Sequence, residues 1–340
     1  MKNNVIIYQS VIPHYRRVFF DKLEKNLELK NYNLKLMNKN KEYFYKYFLL
    51  FKNSYTKSEI LVYPFSIRTK EIYALILSTW LCRIIGYEKK NTVVWWNIGH
   101  MPSEKFWIKF VRKVLMQITD KVVLYTEKER YLYSVLGESR VKFYSFNNCI
   151  DETASHKLLK KENNKIKIIG YTGTMHSRSN ANYLPEIIKL TLKLQPELKF
   201  EIIGSGNFEA SIKEKLRDEQ RVTFHGEITD QNVVSKIMAS WDLGIYPGAV
   251  GLTAQTFMHN LVPYITIDDP FHQSPEHCGL PDDLKLSVEK LSENDFAHKI
   301  VSTIVDNKKV QKIREDMFYY RKYFTVERAA YRFFQALTDE

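Results

Sequence analysis

The chain has 340 residues, 44% of them hydrophobic, three cysteines and a formal net charge of +12. That length exceeds one ordinary core, so two domains are expected, with enough apolar side chains to fill both. Cys82, Cys149 and Cys278 have neither paired nor metal-type spacing, which argues against a disulfide scaffold or a zinc site.

MKNNVIIYQSV at the N-terminus starts directly with a short strand-like run and reads as lacking an export signal. VIIYQS (5–10) is the first expected strand, followed by an amphipathic helix from His14 to Lys30 and a strand over 33–37. Residues 41–56 are rich in lysine and aromatics and give no clear pattern. The apolar run 72–86, inside an expected helix over 69–85, carries Arg83 and is too short to cross a bilayer. TVVWWN (92–97) reads as a buried strand. In the helix expected over 104–118, periodicity assigns Phe106, Trp107, Phe110, Val111, Val114, Leu115 and Ile118 to the packed face. Lys105, Lys109, Arg112 and Lys113 then fall on the solvent face. KVVLYT (121–126), a helix ending at Gly137, and VKFYSFNN (141–148) close the first half.

The polar segment 152–165 reads as a linker, after which alternation restarts. Strands are expected at KIIGYTGT, LKFEIIGSG, VTFHGEI, DLGIYP and VPYITID, with helices over 180–194, 207–219, 230–239 and 252–260 between them. Strands alternating with helices imply parallel sheets with right-handed crossovers, an α/β protein with Rossmann-like domains. Ligands in such sheets bind beyond the carboxyl ends of the strands. Gly173, Gly204, Gly206, Gly226 and Gly248 all fall at those ends. Residues 1–150 hold 26 Lys/Arg against 12 Asp/Glu and four of the five tryptophans, while residues 151–340 are close to neutral. A basic, aromatic-rich half suits an anionic membrane surface, nucleic acid or a phosphorylated substrate.

Several stretches together resemble the GT-B glycosyltransferases, particularly their family 4 branch of nucleotide-sugar enzymes. NNCID (147–151) is similar to that family's asparagine-glycine-isoleucine-aspartate junction. GYTGTM, FEIIGSGN and VTFHGEITD resemble its glycine-bearing strand ends. YPGAVGLTAQTFMHNLVPYIT is similar to its donor loop and helix, and FTVERAAYRFFQAL to its final crossing helix. The resemblance implies a GT-B fold: two Rossmann-like domains facing a cleft, over residues 1–150 and 151–315. A C-terminal helix in 316–340 would return to the first domain. It also implies a donor site built from Gly173, Thr174, Arg178, Gly204, Gly226, Glu227, Pro247, Gly248, Gly251, Leu252, Thr253 and Thr256. The family's pair of glutamates would stand at Gly248 and Thr256, where this chain has neither, and its usual phosphate-binding lysine at Ser179, beside Arg178.

A nucleoside diphosphate leaving group needs its growing charge stabilised, which backbone N–H groups at a helix start and a cation can do. Gly248, Gly251, Leu252 and Thr253 fit the first part and Arg178 the second. The resemblance places His100 near the donor sugar or acceptor hydroxyl, and Glu276 is a candidate polar contact to sugar or phosphate. His14 and Arg16, in the IPHYRR turn, are candidates for the acceptor side. No Asp-x-Asp motif occurs, so neither a metal nor any cofactor beyond the nucleotide-sugar substrate is expected. The expected protein is a metal-independent, retaining glycosyltransferase of UDP- or GDP-sugars. Its acceptor would be a lipid-linked saccharide, as befits bacterial surface polysaccharide assembly, and its place the inner face of the cytoplasmic membrane. Helix 104–118 with residues 41–57 would face anionic lipid. Alternatives are inverting transfer, nucleotide-sugar epimerisation, or a non-catalytic nucleic-acid-binding protein. No helix-turn-helix, zinc finger or RNA-binding signature supports the last of these.

Overall fold

The computed structural model describes residues 3–8, 16–37, 51–64, 70–99, 106–136, 141–152, 167–269 and 273–339. The chain divides into two compact units, one formed by 1–151 with 326–340 and the other by 152–325.

The first unit holds six parallel strands in the order β2-β1-β3-β4-β5-β6. They are β1 (Asn3–Tyr8), β2 (Tyr32–Met37), β3 (Ile60–Pro64), β4 (Thr92–Asn97), β5 (Lys121–Leu124) and β6 (Lys142–Ser145). Helix α1 (Arg17–Glu28) joins β1 to β2, which runs outward in one direction. Helices α2 (Lys70–Ile84), α3 (Phe106–Ile118) and α4 (Glu127–Leu136) join strands that run in the other direction. Right-handed crossovers therefore put α1 on one face of the sheet and α2, α3 and α4 on the opposite face. The core shows this division. β4 sends Trp96 into the cluster with Phe19, Phe20, Leu23 and Phe333, and Trp95 into the cluster with Leu75, Ile108, Leu115 and Tyr133. Adjacent strand residues point to opposite faces, so both tryptophans are completely buried because both faces are covered.

α3 differs from its expected orientation. Ile108, Arg112, Leu115 and Ile118 are buried, whereas Trp107 and Phe110 are exposed. The Arg112 guanidinium lies 5.9 Å from the Trp95 ring centre and 5.4 Å from that of Tyr133, and its Nη1 donates to the Gly99 carbonyl at 3.1 Å. The packed side is rotated from the expected apolar face toward Ile108 and Arg112, and the aromatic cage with a backbone acceptor accommodates the inward arginine. Of the segment expected to face lipid, residues 51–55 are helical, and Phe51 and Tyr55 are core residues.

The second unit carries the order β12-β11-β10-β7-β8-β9, again all parallel. Its strands are β7 (Ile168–Thr172), β8 (Lys199–Ile203), β9 (Val222–Gly226), β10 (Leu243–Tyr246), β11 (Tyr264–Ile267) and β12 (Leu286–Val288). Helices α5 (Leu184–Leu194), α6 (Glu209–Lys215), α7 (Gln231–Met238), α8 (Thr253–His259), α9 (Pro275–Cys278), α10 (Glu293–Val305) and α11 (Asn307–Tyr320) connect or flank them. From β7 the chain proceeds outward through β8 and β9, then β10 returns to pair with β7 on its other side. That reversal opens a crevice between the carboxyl ends of β7 and β10, the place where open α/β sheets bind ligands.

The last helix, α12 (Val326–Thr338), belongs to the first unit, which the chain re-enters at Val326 rather than at 316. It packs along α1 and places Phe333 against Phe19, Trp96 and Phe146. Lys121 caps its C-terminus, donating to the carbonyls of Ala336 at 3.0 Å and Leu337 at 2.9 Å.

Candidate functional site

The glycine-bearing ends of β7, β8 and β10 interlock through their backbones. A Cβ on Gly204 would come within 2.0 Å of the Gly173 carbonyl oxygen, and one on Gly248 within 2.4 Å of the Arg178 carbonyl oxygen. No side chain fits at either position, so these glycines are required by the turns themselves. Hydrogen bonds tie the same ends together: Gly173 N to Ile203 O at 3.0 Å, Gly204 N to Gly226 O at 2.7 Å, and Ala249 N to Arg178 O at 3.0 Å.

On this base, side chains from three segments meet at the β7–β10 crevice. Tyr246 ends β10 and stacks on Tyr171 of β7, with ring centres 5.3 Å apart. Its ring edge leaves no ordinary room for a Cβ at Gly173, where the Thr253 Oγ1 is also only 3.6 Å away from that position. Burial pushes the Tyr246 hydroxyl above the usual tyrosine range, while hydrogen bonding with Tyr171, the Arg178 charge and hydrogen bonding with Thr253 pull it back. Gly173, Tyr246, Thr253 and the Arg178 charge thus converge. Arg178 itself is exposed, and no carboxylate among the described residues pairs with it.

Around this centre, Thr174 is exposed and Pro247 is buried, with its carbonyl accepting from Asn180 Nδ2 at 3.3 Å. Gly251, Leu252 and Thr256 are half-buried where the loop enters α8. Gly226 ends β9, and the exposed Glu227 beyond it accepts from Ser205 Oγ at 2.9 Å. Glu276 is buried on α9, whose start is capped by Ser274 accepting from His277 N at 3.3 Å. Arg16 belongs to the other unit and is buried there. Its guanidinium lies 4.7 Å from the Trp96 ring centre and donates to the Tyr125 hydroxyl. His14 and His100 fall outside the described residues. His225 meets Glu201 at 3.3 Å, and Glu201 also accepts from Trp241 Nε1 at 2.8 Å.

One residue that sequence reasoning missed fixes the loop. Gln273 Nε2 lies 3.1 Å from Gly248 O, 3.0 Å from Thr266 Oγ1 and 2.9 Å from Ile267 O. Its Oε1 accepts from Val250 N at 3.2 Å. A single buried amide thereby binds the loop on both sides of Ala249 and ties it to β11. No spacing rule marks such a glutamine, because two of its partners are backbone atoms of Gly248 and Val250 more than twenty residues away.

The sequence of residues 166–306 matches the family model described as Glycosyl transferases group 1. No curated protein matches this sequence. Among solved structures, the chain is similar to the apo form of the lipopolysaccharide outer core galactosyltransferase WaaB, at 14% identity and a TM-score of 0.73, covering 99% of each chain. It is similar to a glycosyltransferase from Rickettsia africae at 12% identity and a TM-score of 0.71, covering 100% of this chain and 99% of that one. A third likeness is Anabaena HepE in complex with UDP and glucose, at 12% identity and a TM-score of 0.67 over the full length of both. At these identities the structural likenesses show a shared fold. Residues 166–306 are thus similar to the glycosyl transferases group 1 family, and the chain has the GT-B fold of these solved glycosyltransferases.

Proposed function

We propose that this protein transfers a sugar from a UDP- or GDP-linked donor to a saccharide acceptor carried on lipid, at the inner face of the cytoplasmic membrane, in assembly of a bacterial surface polysaccharide. The observation that carries the reading is the meeting of Arg178, Tyr246, Thr253 and the 247–253 loop at the strand reversal of a glycosyl transferases group 1 domain. The UDP in the similar HepE structure, and the similarity to WaaB, a lipopolysaccharide outer core galactosyltransferase, point the same way.

In this reading the sugar–phosphate bond breaks as the acceptor hydroxyl attacks the anomeric carbon from the same face. The departing phosphate oxygen takes the hydroxyl proton, so configuration is retained and no enzyme carboxylate becomes a nucleophile. Charge grows on the diphosphate as the bond lengthens. The Arg178 guanidinium and the Thr253 hydroxyl, with N–H groups of the 248–253 loop, stabilise it there. The resemblance implies that His100 stands near the donor sugar or acceptor hydroxyl, Glu276 is our candidate for a polar contact to donor sugar or phosphate, and His14 and Arg16 are candidates on the acceptor side. Gly204, Gly226, Glu227 and Thr174 complete the nucleotide's surroundings.

The test is a screen of UDP-, GDP- and CMP-sugars for hydrolysis, alongside melting temperature with each free nucleotide. One uridine or guanosine nucleotide should raise the melting temperature, with about 2.7 kcal/mol of stabilisation at a hundred times its Kd. Its matching sugar donor should be hydrolysed slowly in the absence of acceptor. A chain that hydrolyses none of the donors and is stabilised by no nucleotide does not carry out this transfer.

A further inference from the structure

Exposed apolar residues concentrate on one layer of the first unit. Of eighteen large hydrophobic side chains exposed among the described residues, eleven lie on or directly beside α2, α3 and α4. On α2, Tyr73, Leu77, Trp80 and Ile84 follow one another at spacings of four, three and four, which aligns them along a single stripe. Ile72, Leu75, Thr79 and Cys82 form the buried side of the same helix, so the stripe points away from the sheet. A surface helix ordinarily presents polar residues there. Trp80 and Ile84 are 60% and 62% exposed. α3 packs beside α2 and turns Trp107 and Phe110 outward, the latter 63% exposed.

We propose that the outer face of α2 and α3 is the surface by which this protein rests on an anionic lipid bilayer. Charge selects the partner. Among the described residues of 70–118, Arg83, Lys90 and Lys113 are exposed around the apolar stripe against a single exposed carboxylate, Glu88. Two copies meeting through this face would press like charges together, whereas anionic headgroups attract them. Tryptophan and tyrosine set an apolar body against acyl chains and a polar edge among headgroups, which is the composition of this stripe. No helix among the described residues is long and apolar enough to span a membrane. The proposal deepens the lipid-linked acceptor reading by naming the contact surface, and it rests on that reading only for its purpose.

Sedimentation with vesicles tests it, comparing phosphatidylcholine alone with phosphatidylcholine mixed with phosphatidylglycerol. The full chain should bind the mixed vesicles and release as salt rises. The double variant Trp80→Glu/Phe110→Glu should lose roughly tenfold or more of that partitioning, as expected for two large apolar side chains withdrawn from lipid. Both positions are exposed, so its melting temperature should match that of the wild type. Val305→Glu, at an exposed position in the second unit, should bind as the wild type does. The proposal is overturned if the wild type ignores anionic vesicles or if the double variant binds equally well. It is equally overturned if the wild type is a dimer that the double variant converts to monomer, which would assign the face to a second copy. Vesicle binding in a protein that hydrolyses no donor would support this surface while removing the transfer reading.

Discussion

Gln273 holds the 248–250 loop on both sides of Ala249. Alanine there would leave Ile267 O and Val250 N without the amide and Gly248 O with only the Thr266 hydroxyl, at a cost of about 1–3 kcal/mol. The expected result for Gln273→Ala is a lower melting temperature together with a higher donor KM. Gln273→Glu should be worse in both, because a carboxylate can only accept and would face three oxygens. At Gly248 the obstacle is steric, since alanine would set its methyl group 2.4 Å from the Arg178 carbonyl. Gly248→Ala should cost about 1–3 kcal/mol by forcing the two turns apart, read as a melting-temperature drop and weaker nucleotide binding. Arg178 has a different signature. It is exposed, so Arg178→Ala should leave the melting temperature of the free protein unchanged. It should weaken diphosphate binding roughly 10- to 100-fold, as expected for a lost charge-assisted hydrogen bond, and Arg178→Lys should recover part of it.

Among the elements, α12 is held by its apolar face and by a polar clasp at its end. Asp339 pairs with Lys121 at 3.0 Å and with Lys142 at 3.4 Å, and it accepts from the Tyr144 hydroxyl. Burial opposes its charge, but hydrogen bonds from Tyr144 and Lys121 outweigh that and hold its carboxyl below the usual range. For the same contact, burial and then Asp339 push the Tyr144 hydroxyl up to about 12. A carboxyl depressed in the folded state stabilises the protein above its unfolded pKa, and this contribution is lost as pH falls through the folded value. The clasp should therefore be complete at neutral pH and weaken below about pH 4. Asp339→Asn should flatten the acid limb of stability against pH, and equal acid sensitivity in variant and wild type would refute the role. Because half of this carboxylate's surroundings are water, the effect belongs with exposed ion pairs rather than buried ones. Removing 326–340 altogether would uncover Trp96, Phe19 and Phe146 at once, so that truncation should fail to fold its first unit.

For the whole molecule, nucleotide and lipid are assigned to different units, and this separation can be measured. Hydrogen exchange with bound UDP or GDP should show new protection over 171–178 and 246–253, with none over α2. Anionic vesicles should give the reverse pattern. Protection by nucleotide confined to the first unit would contradict the assignment of the donor site.

The sequence by itself determined the alternation of strands and helices, the parallel sheets and the glycine-bearing strand ends, because each is a local consequence of side-chain period and backbone permissiveness. β4 was legible for the same reason, since TVVWWN reads as a strand buried on both faces whatever surrounds it. Tertiary structure alone decided which side of α3 is inside. Its period expects Trp107 and Phe110 inside, whereas the packed side is turned toward Ile108 and Arg112, the arginine being caged by Trp95 and Tyr133 on other elements. The short β12 emerged only by pairing with β11, as three residues carry too little pattern to announce a strand. The glycines at 173, 204 and 248 were visible in the sequence as strand ends, but their partners were not. Gln273 was invisible for the same physical reason, because hydrogen bonds to distant backbone atoms leave no periodic trace in the chain that makes them.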